Sequence, residues 1–191
     1  QSKLQANWHI ATIMPSYLLA KRGLIDWQAW GQKLMVDSLG YIKDATPEKV
    51  AEVSEWMVVH DLWAKRREDV IARLVAHREA GAKVYIASSM VEPFIQPFAQ
   101  RIGAETIGTP PEIVNGKLRM IGELVANEKK IEQVLSRLGV DRVDVAYGDT
   151  ILDVPMLEKA DHPVAVYPEA KLKKVALERG WEILGDTPEY G

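Results

Sequence analysis

From residue 82 onward the chain repeats one pattern, in which short apolar, β-rich runs alternate with segments of helical periodicity. The runs occupy 83–87, 142–147, 163–167 and 181–184, and a helical pattern follows each of the first three. Strands that alternate with helices of this length pair in parallel, because a parallel connection needs a long crossover. The pattern therefore predicts an α/β fold with a three-layer, Rossmann-like parallel sheet core.

The first 75 residues contain only helical signals. Thr46 followed by Pro47 is typical of a helix start, and glycines follow several of the helical patterns. The helices are predicted at 4–21, 26–39, 46–60 and 61–80. We therefore expect a helical module at 1–75 and an α/β core at 76–191.

Composition narrows the classes of partner. The net charge of −3 and the pI near 5.9 provide no broad basic field, so neither nucleic acid nor an anionic membrane is an expected partner. The most apolar early run, 6–20, is shorter than the roughly 20 residues of a membrane span and carries no signal-peptide features. The chain has no cysteine, which excludes disulfides, thiolate metal sites and cysteine nucleophiles and suits a reducing cytoplasm. A cytoplasmic protein with a small-molecule partner is expected, and the oligomeric state stays open.

Asn115-Gly116 lies between two apolar runs within 109–122, which is the strongest hairpin signal in the chain. A helix is predicted next, over 126–138, and Lys130 lies near its start. A lysine at this position is by itself most often a solvated surface charge.

Polar residues follow two of the predicted strands. Ser88 comes directly after 83–87, and Gly148-Asp149-Thr150 comes after 142–147, with Asp153 four residues beyond Asp149. Ligands of open parallel sheets bind at the carboxyl ends of the strands, so these residues are candidates for a site. Each of them could instead simply cap a helix. Their order and spacing, together with Lys130, are more informative than any one of them.

In that order the residues resemble the phosphoserine-phosphatase-like branch of the haloacid dehalogenase (HAD) superfamily. Its later motifs are a strand followed by Ser/Thr, a lysine at a helix start, and a strand followed by Gly-Asp-Ser/Thr-x-x-Asp. The resemblance covers about 81–184, and its most specific part begins with VAYGDTILD. It implies a HAD-like fold in which 1–75 form a helical cap over the core.

The resemblance also implies an activity, namely a Mg²⁺-dependent phosphatase that hydrolyses a small phosphorylated metabolite through an aspartyl-phosphate. The Ser88 hydroxyl and the Ser89 amide would bind phosphoryl oxygens, while Lys130 would offset charge on the nucleophile and phosphate. Lys129 is the fallback for that lysine. The family usually has a small polar residue where this chain has Met90, which departs from the pattern.

The same resemblance assigns the two aspartates of the last motif. Asp149 would be a Mg²⁺ ligand, because this cation prefers carboxylate, water and phosphate oxygens. Asp153 would support the metal shell or orient Lys130.

The nucleophile of this chemistry cannot be named. The family's first motif is Asp-x-Asp, and none of the eleven aspartates in this chain has another aspartate two positions away. We expect that a first strand and loop carrying this motif precede Gln1, and that the sheet lacks a central member without them. The alternatives are a catalytically inactive relative that binds a ligand or partner in the same cleft, and a phospho-acceptor signalling domain. The helical module and Asp153 disfavour the signalling domain.

Three further groups have structural explanations. Five of the six tryptophans, Trp8, Trp27, Trp30, Trp56 and Trp63, are predicted to form the small core of the helical module, and a substrate cage to which one or two of them contribute is the less favoured interpretation. The four histidines lack metal-ligand spacing, so zinc catalysis is not indicated. The charge run 65–69 is interpreted as a solvated helix face with internal ion pairs, and steering of phosphate is the less favoured interpretation.

Overall fold

The structure is a computed structural model, and it describes residues 42–122, 125 and 128–185 together with scattered residues between 18 and 40. The predicted helices at 4–21 and 26–39 lie largely outside the described residues. The described residues up to Thr46 form one compact unit with Glu112–Arg119, and the remainder forms a second. This division differs from the predicted boundary at residue 75, because residues 47–75 pack within the second unit. The assignment of 1–75 as a cap stays a prediction.

The second unit begins with helix α1, Pro47–Met57, which continues as a π-helical turn, Val58–Leu62. This confirms the predicted helix at 46–60. The next predicted helix, 61–80, is wrong at its start, because α2 spans Glu68–Glu79 and a non-helical link precedes it. Arg67 in that link is extended, with φ −91° and ψ 105°. None of the described helices is long and apolar enough to cross a membrane.

Strand β1, Tyr85–Val91, leads into α3, Glu92–Ile102, and then into β2, Glu105–Thr109, which pairs in parallel with β1. Helix α3 ends at Gly103, whose φ of 67° favours glycine. Strand β2 was not predicted, because its sequence ETIGT is short and Gly108 interrupts its β-branched residues.

The predicted hairpin is confirmed. Strands β3, Pro111–Val114, and β4, Lys117–Met120, are joined by Asn115 and Gly116. Both turn residues have positive φ, 50° and 68°, as the tight turns of hairpins require.

The remaining elements follow the predicted alternation of helices and strands. They are α4 (Glu128–Leu138), β5 (Val143–Gly148), a 3₁₀ turn (Ile151–Asp153), α5 (Val154–Leu157), β6 (Ala160–Val166), α6 (Ala170–Arg179) and β7 (Glu182–Leu184). Strands β5, β6 and β7 pair in parallel in that order. The helix predicted at 152–160 is shorter than expected, because Ala160 already pairs with Val143 as the start of β6.

Two apolar clusters hold this unit together. Helices α5 and α6 bury small residues against the β5-β6-β7 sheet, including Ala146, Ala165 and Ala176. Helix α4 packs on β1 and β2 through a cluster around Ile107 and Ile131, and its edge reaches residues of β5 and α5. Among the described strands β1 and β5 do not pair with each other, so α4 is a common neighbour of two separate parallel sheets. The α/β class with parallel strands is confirmed.

Candidate active site

Lys130 and Asp153 form a buried ion pair. The Nζ atom of Lys130 lies 2.8 Å from Oδ1 of Asp153, and the two residues are only 9% and 6% exposed. Helix α4 presents Lys130 from its first turn, and Asp153 ends the 3₁₀ turn after β5. Lys129, the fallback, is exposed. Buried charges of this kind are retained only when they are paired, so each of these two residues depends on the other.

The second oxygen of Asp153 organises the turn after β5. Its Oδ2 atom accepts hydrogen bonds from the amides of Asp149 and Thr150, at 3.1 and 3.2 Å, and from the Thr150 hydroxyl at 3.2 Å. Gly148 makes this approach possible, because a Cβ at that position would lie 2.5 Å from Cβ of Asp153. Asp153 therefore both caps the turn and orients Lys130.

Asp149 presents its carboxylate at the carboxyl end of β5 with half of the side chain exposed. Burial of the remainder raises the pKa of Asp149, and the neighbouring charge of Asp153 raises it further. Arg67 opposes the shift, since its Nη1 atom lies 3.4 Å from Oδ2 of Asp149. The Asp149 carboxylate thus lies beside the guanidinium of Arg67, which is 82 positions away in the sequence.

Arg67 is held over the end of the sheet by several contacts. Its guanidinium lies 4.7 Å from the centre of the Tyr167 ring, and Nη1 is 3.4 Å from the carbonyl oxygen of Val166. The Tyr167 hydroxyl donates to Asp69 at 3.0 Å. Lys65 and Arg66 pair with neighbours in sequence as expected, but they lie in the non-helical link and not on a helix face, and Arg67 does not pair locally.

Glu169, which follows β6, also holds the turn that carries Asp149. The Glu169 carboxylate accepts the amide of Ile151 at 2.8 Å, and the Glu169 amide donates to the Asp149 carbonyl at 3.0 Å. Glu169 precedes α6, so the ends of β5 and β6 are joined at this edge of the sheet.

Ser88 and Ser89 lie in an irregular part of β1. The regular register ends at Ala87 opposite Ile107 and resumes only at Val91 opposite Thr109. The amide of Met90 donates to Oγ of Ser88 at 3.2 Å, and the Thr109 hydroxyl donates to the Ser89 carbonyl at 2.9 Å. The hydroxyl of Ser88 already accepts one hydrogen bond, so its proton can be donated to a bound anion.

Asp149 is the residue that best fits Mg²⁺. Within the described ranges, no three His, Cys, Asp or Glu side chains cluster so as to hold a metal ion. Mg²⁺ keeps several waters and usually takes only one or two carboxylates, so a single half-exposed carboxylate suits it as part of a ligand set. Asp153 contacts protein groups through both oxygens, which fits an orienting role better than a metal-binding role.

The structure thus brings Lys130, Asp149 and Asp153 together, and it joins the Ser89 carbonyl to Thr109 at the end of β2. Sequence patterns missed Arg67, Thr109 and Glu169. Each acts through a partner at least 16 positions away, and no local motif marks such a contact.

The predicted tryptophan core of the helical module is wrong at Trp56 and Trp63, because Trp63 packs on a helix of the α/β core and Trp56 is exposed. Trp63 packs edge-on against Phe98 of α3 at 5.4 Å, whereas Trp56 is 59% exposed on α1. Trp8 and Trp27 lie outside the described residues. Trp56 stacks on His60 instead of entering a core.

The α/β fold and the Lys-Asp-Asp arrangement at the strand ends define a class of protein. The chain belongs to the haloacid dehalogenase-like hydrolase family, which matches residues 17–158. The matched region includes Ser88, Lys130 and the turn from Gly148 to Asp153, so the resemblance drawn from the sequence is confirmed.

Two curated relatives cover much of the chain. A phosphoserine phosphatase of Mycobacterium tuberculosis is 32% identical over 139 residues, which cover 69% of this chain and 44% of the relative. A putative hydrolase of Mycobacterium leprae is 30% identical over 177 residues, covering 87% of this chain and 56% of the relative. The chain therefore spans about half the length of these curated relatives.

Solved structures show the same fold. A Bordetella pertussis protein of unknown function superposes with a TM-score of 0.74 at 22% identity, covering 95% of this chain and 83% of that protein. A probable phosphoserine phosphatase of Vibrio cholerae gives 0.56 at 23% identity, covering 85% and 49% respectively. Together with the family match, these likenesses confirm the predicted HAD-like fold class.

Proposed function

We propose that the chain supplies most of the active site of a Mg²⁺-dependent phosphatase that hydrolyses a small-molecule phosphate monoester. The observation that carries this proposal is the buried Lys130–Asp153 ion pair beside the half-exposed carboxylate of Asp149, in a chain of the HAD-like hydrolase family. Phosphoserine is the first substrate to test, because phosphoserine phosphatases occur among the similar proteins.

Each side chain has a physical task in phosphoryl transfer. The Lys130 ammonium has three N–H donors, and one of them donates a hydrogen bond to Asp153. The other two can be directed at a phosphoryl oxygen or a nucleophilic carboxylate. Ser88 supplies a hydroxyl proton and Ser89 a backbone amide to the phosphoryl oxygens. Such fixed donors stabilise the charge of the transition state without reorganising during the reaction.

Asp149 would hold Mg²⁺, which when bound would neutralise charge on the phosphoryl oxygens. Asp153 keeps the Asp149 amide and the Lys130 ammonium in fixed positions. The contact with Arg67 is weak at 3.4 Å, so the carboxylate can turn towards a stronger cation.

The nucleophile is proposed to come from an Asp-x-Asp motif on a strand that precedes Gln1. Two observations support this placement. Among the described strands β1 and β5 are not paired with each other, and both contact α4 or its core cluster. The regular pairing of β1 ends at Ala87, just before Ser88, and β5 ends just before Asp149, so a parallel strand between them would end near both residues.

The alternative is an inactive relative that binds a ligand in the same cleft, and the lack of an Asp-x-Asp motif in the printed sequence favours it. The reading frame upstream of Gln1 separates the two, since an active enzyme requires the motif there. A cytoplasmic location is part of the main proposal, supported by the lack of cysteine.

The activity is tested with the full-length protein, Mg²⁺ and a panel of small phosphate esters that includes phosphoserine. We expect phosphate release that is abolished by chelation of Mg²⁺ and reduced about 100-fold or more by Asp149→Asn. Asp161→Asn is the matched control, because Asp161 is a comparably exposed carboxylate that pairs with Arg142. An upstream Asp-x-Asp motif combined with no release from any ester would contradict the proposal.

A further inference from the structure

Thr109 is a fully buried threonine whose hydroxyl contacts two backbone groups. It donates to the Ser89 carbonyl at 2.9 Å and accepts the amide of Val125 at 3.1 Å, and the residue is 0% exposed. These contacts use the one proton of the hydroxyl and one of its acceptor positions. Thr109 therefore ties the serine-bearing part of β1 to the segment that leads into α4.

The irregular register of β1 explains why a side chain is needed at this point. Between its last regular pair and its next, β1 has three residues and β2 has only Gly108. The backbone ladder cannot hold all the polar groups of such a bulge. A Cβ on Gly108 would lie 2.9 Å from the Met90 carbonyl oxygen, so the bulge packs directly on this glycine.

The hydrogen bonds of Thr109 and Ser88 meet in one peptide unit. The carbonyl of Ser89 and the amide of Met90 belong to the same planar group and point in opposite directions. Thr109 holds the carbonyl, and the amide donates to Oγ of Ser88 at 3.2 Å. The donors therefore run in one direction, from the Val125 amide through the Thr109 hydroxyl and the Ser89–Met90 peptide to the Ser88 hydroxyl.

We propose that Thr109 is a positioning residue that fixes the Ser88 hydroxyl as a phosphate donor through this relay. Hydrogen bonds aligned in one direction polarise one another, so each makes the next donor stronger. The last donor in the relay is the Ser88 proton, which is directed at a phosphoryl oxygen. This inference rests on the proposed phosphatase function.

The experiment compares Thr109→Val, which keeps the shape of the side chain but loses the hydroxyl, with Thr109→Ser, which keeps the hydroxyl. In the full-length protein we expect Thr109→Val to raise the inhibition constant of inorganic phosphate about 10-fold and to lower kcat/KM by a similar factor. Thr109→Ser should stay within about threefold of the unsubstituted protein for both values. Hydrogen exchange at the Met90 amide should accelerate in Thr109→Val only.

Ser54→Ala is a matched control, because Ser54 is equally buried and donates to the Val50 carbonyl at 2.7 Å within α1. Loss of its hydroxyl should leave phosphate inhibition and Met90 exchange unchanged. If Thr109→Val does not fold, NMR of the unsubstituted protein still decides, since a rapidly exchanging Thr109 hydroxyl proton overturns the inference.

Unchanged phosphate inhibition together with unchanged Met90 exchange in folded Thr109→Val also overturns the inference. Failure of the proposed function gives a different result, because the unsubstituted protein then releases no phosphate. In that case accelerated exchange of the Met90 amide in Thr109→Val still supports the role of Thr109 in fixing the bulge of β1, and unchanged exchange rejects that role.

Discussion

The guanidinium of Arg67 lies 3.4 Å from the carboxylate of Asp149, although 82 positions separate the two residues in the sequence. Both side chains are about half exposed, so the attraction is modest and screened by solvent. The contact places a fixed positive charge beside the carboxylate proposed to bind Mg²⁺. Arg67 and the proposed metal ion would therefore compete for the same oxygen.

Arg67→Met should tighten Mg²⁺ binding. Removing a unit charge about 4 Å from the ligand oxygen changes the interaction by about 1 kcal/mol in a water-like environment, or roughly fivefold in Kd. Calorimetric titration of the full-length protein with Mg²⁺ measures the change. Arg66→Met is the control, because the neighbouring Arg66 pairs with Glu68 and not with Asp149. Equal or weaker Mg²⁺ binding by Arg67→Met would show that the two cations do not compete.

The Mg²⁺ affinity should also depend on pH. Burial raises the pKa of Asp149, so this carboxylate takes up its proton at a higher pH than an ordinary aspartate does. The protonated form is a poor ligand, so we expect the affinity to fall as the pH is lowered, and to begin falling at a higher pH than for an ordinary aspartate ligand. Because Arg67 lowers the pKa of Asp149, Arg67→Met should shift the midpoint of this fall to higher pH. A midpoint that stays in place or moves to lower pH would refute the assignment.

Sequence patterns predicted the parts of the site that depend on strand ends and local turns. Asp149 follows β5 as predicted, whereas Ser88 lies inside β1, directly after the last regular pair of that strand, Ala87 with Ile107. Lys130 was identified by its spacing within the family pattern, and burial distinguishes it from the exposed Lys129. The hairpin at Asn115 was also predictable, because two consecutive residues with positive φ require a particular turn sequence.

The missed features depend on tertiary contacts. The link before α2 is non-helical although its sequence continues a helical pattern, and there Arg66 donates to the Trp63 carbonyl at 2.7 Å while Arg67 reaches the end of β6. The charge run at 65–69 gave no sign that its first three residues would lie outside a helix. Thr109 likewise looks like an ordinary strand residue, because its partners belong to a bulge and to a segment 16 positions away.

Asp153→Ala should destabilise the protein strongly. The substitution leaves the Lys130 ammonium buried without its carboxylate, a change that typically costs about 3–5 kcal/mol. Urea denaturation measures the free energy of unfolding. Asp161→Ala is the matched control, because it breaks a 2.7 Å ion pair with Arg142 whose side chains are both about half exposed, and it should cost about 1 kcal/mol or less. Similar losses in the two variants would contradict a buried pair.

Gly148→Ala tests whether Asp153 needs the space beside β5. The added methyl group would lie 2.5 Å from Cβ and 3.2 Å from Cγ of Asp153, closer than packed carbons tolerate. Either the end of β5 or the carboxylate must move, at a cost of about 1–3 kcal/mol. Movement of the carboxylate also disturbs Lys130, so phosphate release should fall beyond what the loss of stability explains. Gly40→Ala is the control, because its nearest neighbour is 3.5 Å away and its φ is not positive, and it should change neither property. Gly148→Ala could instead leave both the free energy of unfolding and the rate of phosphate release unchanged. That result would show that the position of Lys130 does not depend on the close packing of Asp153 against Gly148.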